Sequence, residues 1–469
     1  MGIIIALAIA AGLSIAYGVA VARRQAAEPE LRWDWNRINT DEMSFPDGFL
    51  WGVATAAHQV EGGCDNNNWS RWETATAPDG SPRIARGQKA GRACDHWNRY
   101  EDDLKLIDDL GVAAYRLSLE WSKIEPEPGV YDEGAIRHYH QVISALRKAE
   151  IEPMLTLHHF THPTWFEDLG SFEKVDNIDH LVRFAKRMFA EYGEAVELWC
   201  TINEPAVFTT EGWFRGIFPP GKQDPQLSAE VLANLVTAHT EIYRAIKAMP
   251  GGERAQVGLV KNIFQFDPDR RYHLGDWAVA GVLDHIFNDA ILDCLKTGEF
   301  RASGPGISLR RDIPDAPSSL DFIGLNYYSH FRVRWKFDRV APFDMVERPG
   351  DIRTDMPYPI YAEGLYRALI RIAELGWPIY VTENGIADAT DDRRELFIRR
   401  YLYALSRAVR DGVDVRGYFY WTLMDNFEWA EGYDMRFGLY AMDVDTLERT
   451  LRPGSKAFVD IVKRSRDLG

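Results

Sequence analysis

A chain of 469 residues with 46% hydrophobic content can bury one large core or two modest ones, which excludes a disordered or fibrous protein. Its formal net charge of -16 disfavours nucleic acid and anionic substrates, because the overall field repels them, while a neutral ligand is compatible. Four scattered cysteines, Cys64, Cys94, Cys200 and Cys294, show neither Cys-x-x-Cys nor framework spacing, so neither a disulfide scaffold nor a cysteine metal site is expected.

The chain opens on an uncharged run from Gly2 to Ala22, followed by Arg23-Arg24. About 20 apolar residues reach across a bilayer, and a basic pair after the run rather than before it argues against a secretory signal. Residues 1–24 therefore read as an N-terminal transmembrane helix, in the membrane through residues 3–22. The positive flank places the folded body on the cytoplasmic side. A cleaved signal with a site near Ala20 or Ala22, giving a secreted protein, is the alternative. Ala6 does not fit a myristoylation signal. Residues 25–43 are polar and carry Trp33 and Trp35, which suits a short interfacial linker; residues 44–469 form the folded body.

From there, strand-like and helix-like segments alternate. Apolar runs rich in β-branched and aromatic residues mark eight strands: Phe49–Ala54, Ala113–Trp121, Glu152–Phe160, Glu197–Asn203, Gln256–Asn262, Phe322–Tyr328, Ile379–Glu383 and Arg416–Leu423. Between them lie stretches with helical spacing, such as Trp97, Tyr100, Leu104 and Ile107, or Leu365, Leu369, Ile372 and Leu375. Strand–helix alternation implies a parallel sheet. Eight repeats without a linker or a second compositional regime favour one closed (β/α)₈ barrel, an α/β fold. An open doubly wound sheet is the competing architecture. No Gly-x-Gly-x-x-Gly or P-loop pattern follows any strand to support it, so no nucleotide cofactor is expected. The surplus length falls to long βα loops, chiefly 61–91, 206–226 and 333–359, which wall a cleft.

Two of the strand ends carry glutamates: Glu204 in Thr201-Ile202-Asn203-Glu204-Pro205 and Glu383 in Val381-Thr382-Glu383-Asn384-Gly385. A breaker follows each, so both carboxyls stand at the carboxyl ends of parallel strands, where such barrels keep their chemistry. Two carboxyls facing one bond can cleave a glycosidic linkage: one protonates the leaving oxygen while the other attacks the anomeric carbon or activates water. The bland alternative for either is a buried ion pair with an arginine. Three histidines in Leu157-His158-His159-Phe160-Thr161-His162 raise a metal site, but adjacent strand residues face opposite ways, so no metal is expected.

Six ordered motifs together closely resemble glycoside hydrolase family 1, the β-glucosidase and β-galactosidase family, from about Phe45 to Phe458. They are Phe49 to Gly62, Tyr115-Arg116-Leu117-Ser118, Asn203-Glu204-Pro205, Gly324-Leu325-Asn326-Tyr327-Tyr328, Thr382-Glu383-Asn384-Gly385, and Trp421 to Trp429. The resemblance implies a retaining β-glycosidase acting through a covalent glycosyl-enzyme, with Glu204 as general acid/base and Glu383 as nucleophile. It implies supporting roles for Arg116, Tyr328 and Asn326, the first two holding Glu383 ionised. It also implies a sugar-binding set of Gln59, His159, Asn203, Trp421, Glu428 and Trp429.

In that set Asn203 meets the 2-hydroxyl, Trp421 underlies the ring, and Glu428 accepts from the 4- and 6-hydroxyls. Glu431 just beyond disfavours a 6-phosphosugar, so the expected substrate is a small neutral β-glucoside, galactoside or fucoside. Phe160 departs from the family's usual Trp. The apolar amino terminus is also atypical, and it suggests a lipid-linked aglycone or a membrane-associated transglycosylase. A non-catalytic carbohydrate-binding barrel is the remaining alternative, against which both carboxyls are retained.

Overall fold

The computed structural model describes residues 1–338 and 341–467, with the side chains at 2–4, 6–8 and 467 left out; residues 468 and 469 of the expected body lie outside the described residues. Eight parallel strands close into a barrel in chain order: β1 (Leu50–Ala54), β2 (Ala114–Ser118), β3 (Glu152–His158), β4 (Leu198–Asn203), β5 (Gln256–Asn262), β6 (Phe322–Asn326), β7 (Ile379–Asn384) and β8 (Val415–Trp421), with β8 pairing back to β1. Every residue of β2, β4 and β6 is buried. A strand covered on one face by the barrel interior and on the other by helices has no solvent side, which is why these segments read as continuous apolar runs.

The covering helices are amphipathic. In the helix Ile178–Tyr192, the buried side chains Ile178, Leu181, Ala185, Met188 and Tyr192 recur at helical spacing. The helix Ala362–Ala373 does the same with Leu365, Leu369 and Ile372. Asp132 and Asp224 cap the starts of the helices Glu133–Lys148 and Pro225–Lys247 by accepting from backbone N–H groups of the first turn.

The largest departures from a plain barrel come after β5 and β6. Between β5 and β6 lie the helices Leu274–Asp284 and Ala290–Thr297 and a hairpin of Glu299–Gly304 with Ile307–Asp312. A strand Gln265–Pro268 from this excursion joins His330–Trp335 and Phe343–Val346 in a three-stranded side sheet. The sequence reading placed surplus length at 333–359 but not at 263–321. That second segment is apolar and helical enough to pass for ordinary barrel wall.

The amino terminus requires a correction. Gly2–Ala27 form one helix, but among the described residues no helix is long and apolar enough to cross a membrane. The expected transmembrane anchor is therefore overturned, and the membrane-anchored, cytoplasm-facing localisation has no span to rest on. Of the residues 3–22 assigned to the bilayer, the side chains at 3, 4 and 6–8 lie outside the described residues.

From Ile9 onward Gly12, Ser14, Tyr17 and Gly18 dilute the apolar run. The helix is also tied to its own domain by polar bonds: the Tyr17 hydroxyl donates to the Tyr272 carbonyl at 2.9 Å, and Gln25 Nε2 donates to the Arg271 carbonyl at 3.0 Å. Trp33 and Trp35, read as interfacial, pack edge-on with Tyr403, under the guanidinium groups of Arg407 and Arg400. The Trp33 backbone N–H and Trp35 Nε1 both donate to Glu363. The lipid-linked aglycone drew on the anchor and falls with it.

Candidate active site

The carboxyl ends of the barrel strands gather a continuous hydrogen-bonded network of buried polar groups. Glu383, within β7, is 3% exposed. Arg116 of β2 donates through Nη1 to Glu383 Oε1 at 2.5 Å, and the Tyr328 hydroxyl donates to Glu383 Oε2 at 2.8 Å. Burial pushes the Glu383 carboxyl above its ordinary range, and Arg116, Tyr328 and Asn326 pull it back. Burial and the Glu383 charge drive the Tyr328 hydroxyl well up, so it remains a donor. The turn behind Glu383 needs a glycine for space: a Cβ on Gly385 would collide with the Trp421 carbonyl oxygen.

Glu204 ends β4 by a different device. Its backbone sits in the left-handed region at φ 45°, ψ 58°, and Pro205 opens a short helix at once. Phe160 (φ 67°) and Trp429 (φ 45°) share that conformation. Such backbone costs about 1–3 kcal/mol per non-glycine residue and gathers where a side chain must be aimed. Asn326 Nδ2 and Asn262 Nδ2 both donate to Glu204 Oε1, at 2.7 and 2.9 Å. Burial first, and then the Glu383 charge, raise the Glu204 carboxyl to about 7, against the pull of the two amides and Arg116.

Asn203 links the two carboxyls. Its Oδ1 accepts from Arg116 Nη2 at 2.8 Å and from Asn326 Nδ2 at 3.2 Å, which fixes the amide so that Nδ2 faces His159 Nε2 at 3.0 Å. An Nε2 that accepts leaves the proton on Nδ1. Burial and the Arg116 charge hold the imidazole well below its ordinary pKa, hence neutral. The 3.9 Å approach of His159 Nε2 to Glu383 is therefore not an ion pair. His159 lies nearly parallel to the Trp421 and Trp429 rings, with centroids 5.9 and 6.0 Å away.

On the far side Gln59 Nε2 donates to Glu428 Oε2 at 3.2 Å, and burial with the Glu383 charge raises the Glu428 carboxyl to about 8. Gln59 Oε1, His159 Nδ1 and Asn262 Oδ1 are buried without a hydrogen-bond partner among the described residues. The structure thus brings together Glu204, Glu383, Arg116, Asn203, Asn326, Tyr328 and His159 in one network, with Trp421 and Trp429 beside it and Gln59 paired to Glu428. Phe160 packs at 5.2 Å from Trp429 and stacks on Phe208 at 5.9 Å.

Among the described residues one group could hold a metal: His58, Cys64 and Glu120, all buried, whose ligand atoms lie within 4.8 Å of one another. Internal bonds already occupy these atoms. His58 contacts Glu73 and Asn67 through its two nitrogens, at 2.8 and 3.0 Å. The Glu120 oxygens accept from Ser122, Asn67 and Thr161. The cluster braces the loop after β1.

The sequence reading missed Asn262. Its only signal is a polar residue closing an apolar run, and its importance comes from register: Asn262 pairs with Asn326 across β5 and β6. Thr382, whose hydroxyl donates to Asn326 Oδ1 at 2.7 Å and so orients that amide, was likewise unassigned.

A closed eight-stranded barrel carrying this pair of glutamates at its strand ends is the architecture of a glycoside hydrolase. The chain belongs to glycosyl hydrolase family 1, whose model matches residues 41–467. β-Glucosidase A of Thermotoga maritima is 32% identical over 445 residues, covering 90% of this chain and 98% of its own. A 6-phospho-β-galactosidase of Streptococcus mutans is 30% identical, covering 87% and 95%. Among solved structures, a β-glycosidase from Pyrococcus horikoshii superposes with a TM-score of 0.81 at 36% identity, over 90% of this chain and 96% of that one. The protein is a glycoside hydrolase of the retaining β-glycosidase type, and its substrate is a β-glycoside.

Proposed function

We propose that Glu383 is the nucleophile and Glu204 the general acid and then base, and that the sugar accepted at the non-reducing end is an unphosphorylated glucose or galactose. The observation that carries the assignment is the asymmetry between the two carboxyls: Glu383 faces a guanidinium at 2.5 Å, whereas Glu204 meets neutral amides and is raised to about 7. An anion beside Arg116 is ready to attack C1, and a protonated neighbour is ready to protonate the leaving oxygen. Esterification of Glu383 removes the charge that keeps Glu204 protonated, so Glu204 can next accept a proton from water.

Two unpaired buried atoms support sugar binding. The Nδ1–H of His159 offers a donor and Gln59 Oε1 an acceptor, and hydroxyls supply the complement of both. One relative is named a 6-phospho-β-galactosidase, so family membership alone does not decide the phosphate question. The site argues against phosphate, because Glu431 follows Glu428 by three residues and its charge repels a phosphate group.

A panel of 4-nitrophenyl β-glycosides tests this reading. β-Glucoside and β-galactoside are expected to turn over, with the 6-phosphoglucoside at least about 100-fold lower in kcat/KM, the scale of one like-charge juxtaposition. Preference for the phosphosugar overturns the substrate assignment.

A further inference from the structure

Glu204 has two oxygens, and the fold treats them differently. Asn262 and Asn326 stand opposite each other at the carboxyl ends of β5 and β6, and both amides donate to Oε1. Thr382 orients the Asn326 amide by donating to its Oδ1. Asn262 is 1% exposed, its Nδ2 lies 2.9 Å from Glu204, and its Oδ1 has no partner among the described residues, so the Glu204 contact is the one bond its amide makes there.

We infer that Asn262 is a positioning residue for the acid/base: together with Asn326 it occupies Oε1 with N–H donors and thereby confines the transferable proton to Oε2. In a protonated carboxyl the carbonyl oxygen is the strong acceptor and the hydroxyl oxygen a weak one, so two N–H groups on one oxygen assign the carbonyl to it and the hydroxyl to the other. In the first step the Oε2–H bond breaks as the leaving oxygen gains that proton and the C1–oxygen bond cleaves. In the second, water gives a proton to Oε2 while its oxygen bonds C1 and releases Glu383. Oε1 accepts N–H bonds throughout, and the proton leaves from and returns to one atom without rotation of the carboxyl. Because N–H donors favour the carboxylate over the acid, the Asn262 bond also opposes the burial and the Glu383 charge that raise this group.

This inference rests on Glu204 being the acid/base. The charged and titratable groups bearing on Glu204 are Glu383 and Arg116 from β7 and β2, Lys261 from β5, and Tyr328, Tyr358 and Glu428 from the loops. Substitution of Asn262 leaves all six in place, so a shift isolates the amide.

The test compares wild type with Asn262→Leu, which keeps the volume, and Asn262→Ser, a smaller polar variant that serves if the first does not fold. The pH profile of kcat/KM is measured for an alkyl β-glucoside and a 4-nitrophenyl β-glucoside. The alkaline limb is expected to move up by about one pH unit, the worth of one hydrogen bond to a charged group. The alkyl glucoside is expected to lose at least about tenfold more activity than the nitrophenyl glucoside, since only the poor leaving group depends on proton delivery. An unmoved limb with parallel losses on both substrates overturns the positioning role. Glu204→Gln is the control: if it spares the alkyl glucoside, the acid/base assignment itself fails, whatever Asn262 does.

Discussion

The two sides of the candidate active site are built from different materials. On the β2 and β7 side, Glu383 lies against a buried guanidinium and a phenol, both donors, and the cation favours the ionised form. On the β4, β5 and β6 side, Glu204 is held by two carboxamides that orient it but bring no charge. Burial is nearly the same for both, at 3% and 6% exposed, so desolvation alone would leave them alike. The Arg116 guanidinium breaks the symmetry, and the resulting anion at Glu383 raises Glu204 in turn. One cation placed on one side thus separates two carboxyls that burial raises alike.

The most damaging way to break this contrast is to remove the anion. Glu383→Gln keeps the shape, and turnover of 4-nitrophenyl β-glucoside is expected to fall by on the order of 10⁴- to 10⁶-fold, the cost of losing a nucleophile, with the far-ultraviolet circular dichroism unchanged.

Removing the cation instead should shift the contrast rather than erase it. Arg116→Met leaves a buried carboxylate unpaired and is expected to cost about 3–5 kcal/mol of stability in chemical denaturation. The sign of its pH effect follows from the lost stabilisation of the anion. Glu383 then titrates higher, a protonated nucleophile is inactive, and the acidic limb of kcat/KM moves to higher pH.

The smallest effect concerns the carboxyl of Glu428. Burial raises Glu428 from 4.5 to about 8, so the folded state keeps a proton that the unfolded chain releases, and the stability this confers is full below pH 4.5 and lost as pH rises through 8. Glu428→Gln lacks that linkage. Its Tm relative to wild type is expected to rise by a few degrees between pH 5 and pH 9, and a constant difference between the two proteins across this range contradicts the raised value.

Much of this architecture was legible in the residues. The strands announce themselves as largely apolar runs because helices and barrel interior leave them little wet surface, and Glu204 and Glu383 stand out as acids that close such runs. Asn262 was illegible for the opposite reason: a polar residue at a strand end is ordinary, and only its pairing opposite Asn326 gives it a role.

The amino terminus misled because an uncharged run is not by itself a span, and because the sequence does not show what the helix meets. Tyr17 and Gln25 bond to the segment around Tyr272, a contact across more than 240 positions that no local pattern encodes. The side sheet was missed on similar grounds, since Gln265–Pro268 pairs with His330–Val333 across a long stretch of chain that no local pattern bridges.

The central claim is that Glu383, and not Glu204, bonds to the sugar. The direct measurement is to inactivate the enzyme with a 2-deoxy-2-fluoro-β-glucosyl fluoride, digest it with protease, and locate the label by tandem mass spectrometry. The account predicts one fluoroglucosyl group per chain on the peptide containing Thr382-Glu383-Asn384, attached at Glu383. A label on Glu204, or rapid turnover of the inactivator with release of the α-anomer and no labelled peptide, contradicts it.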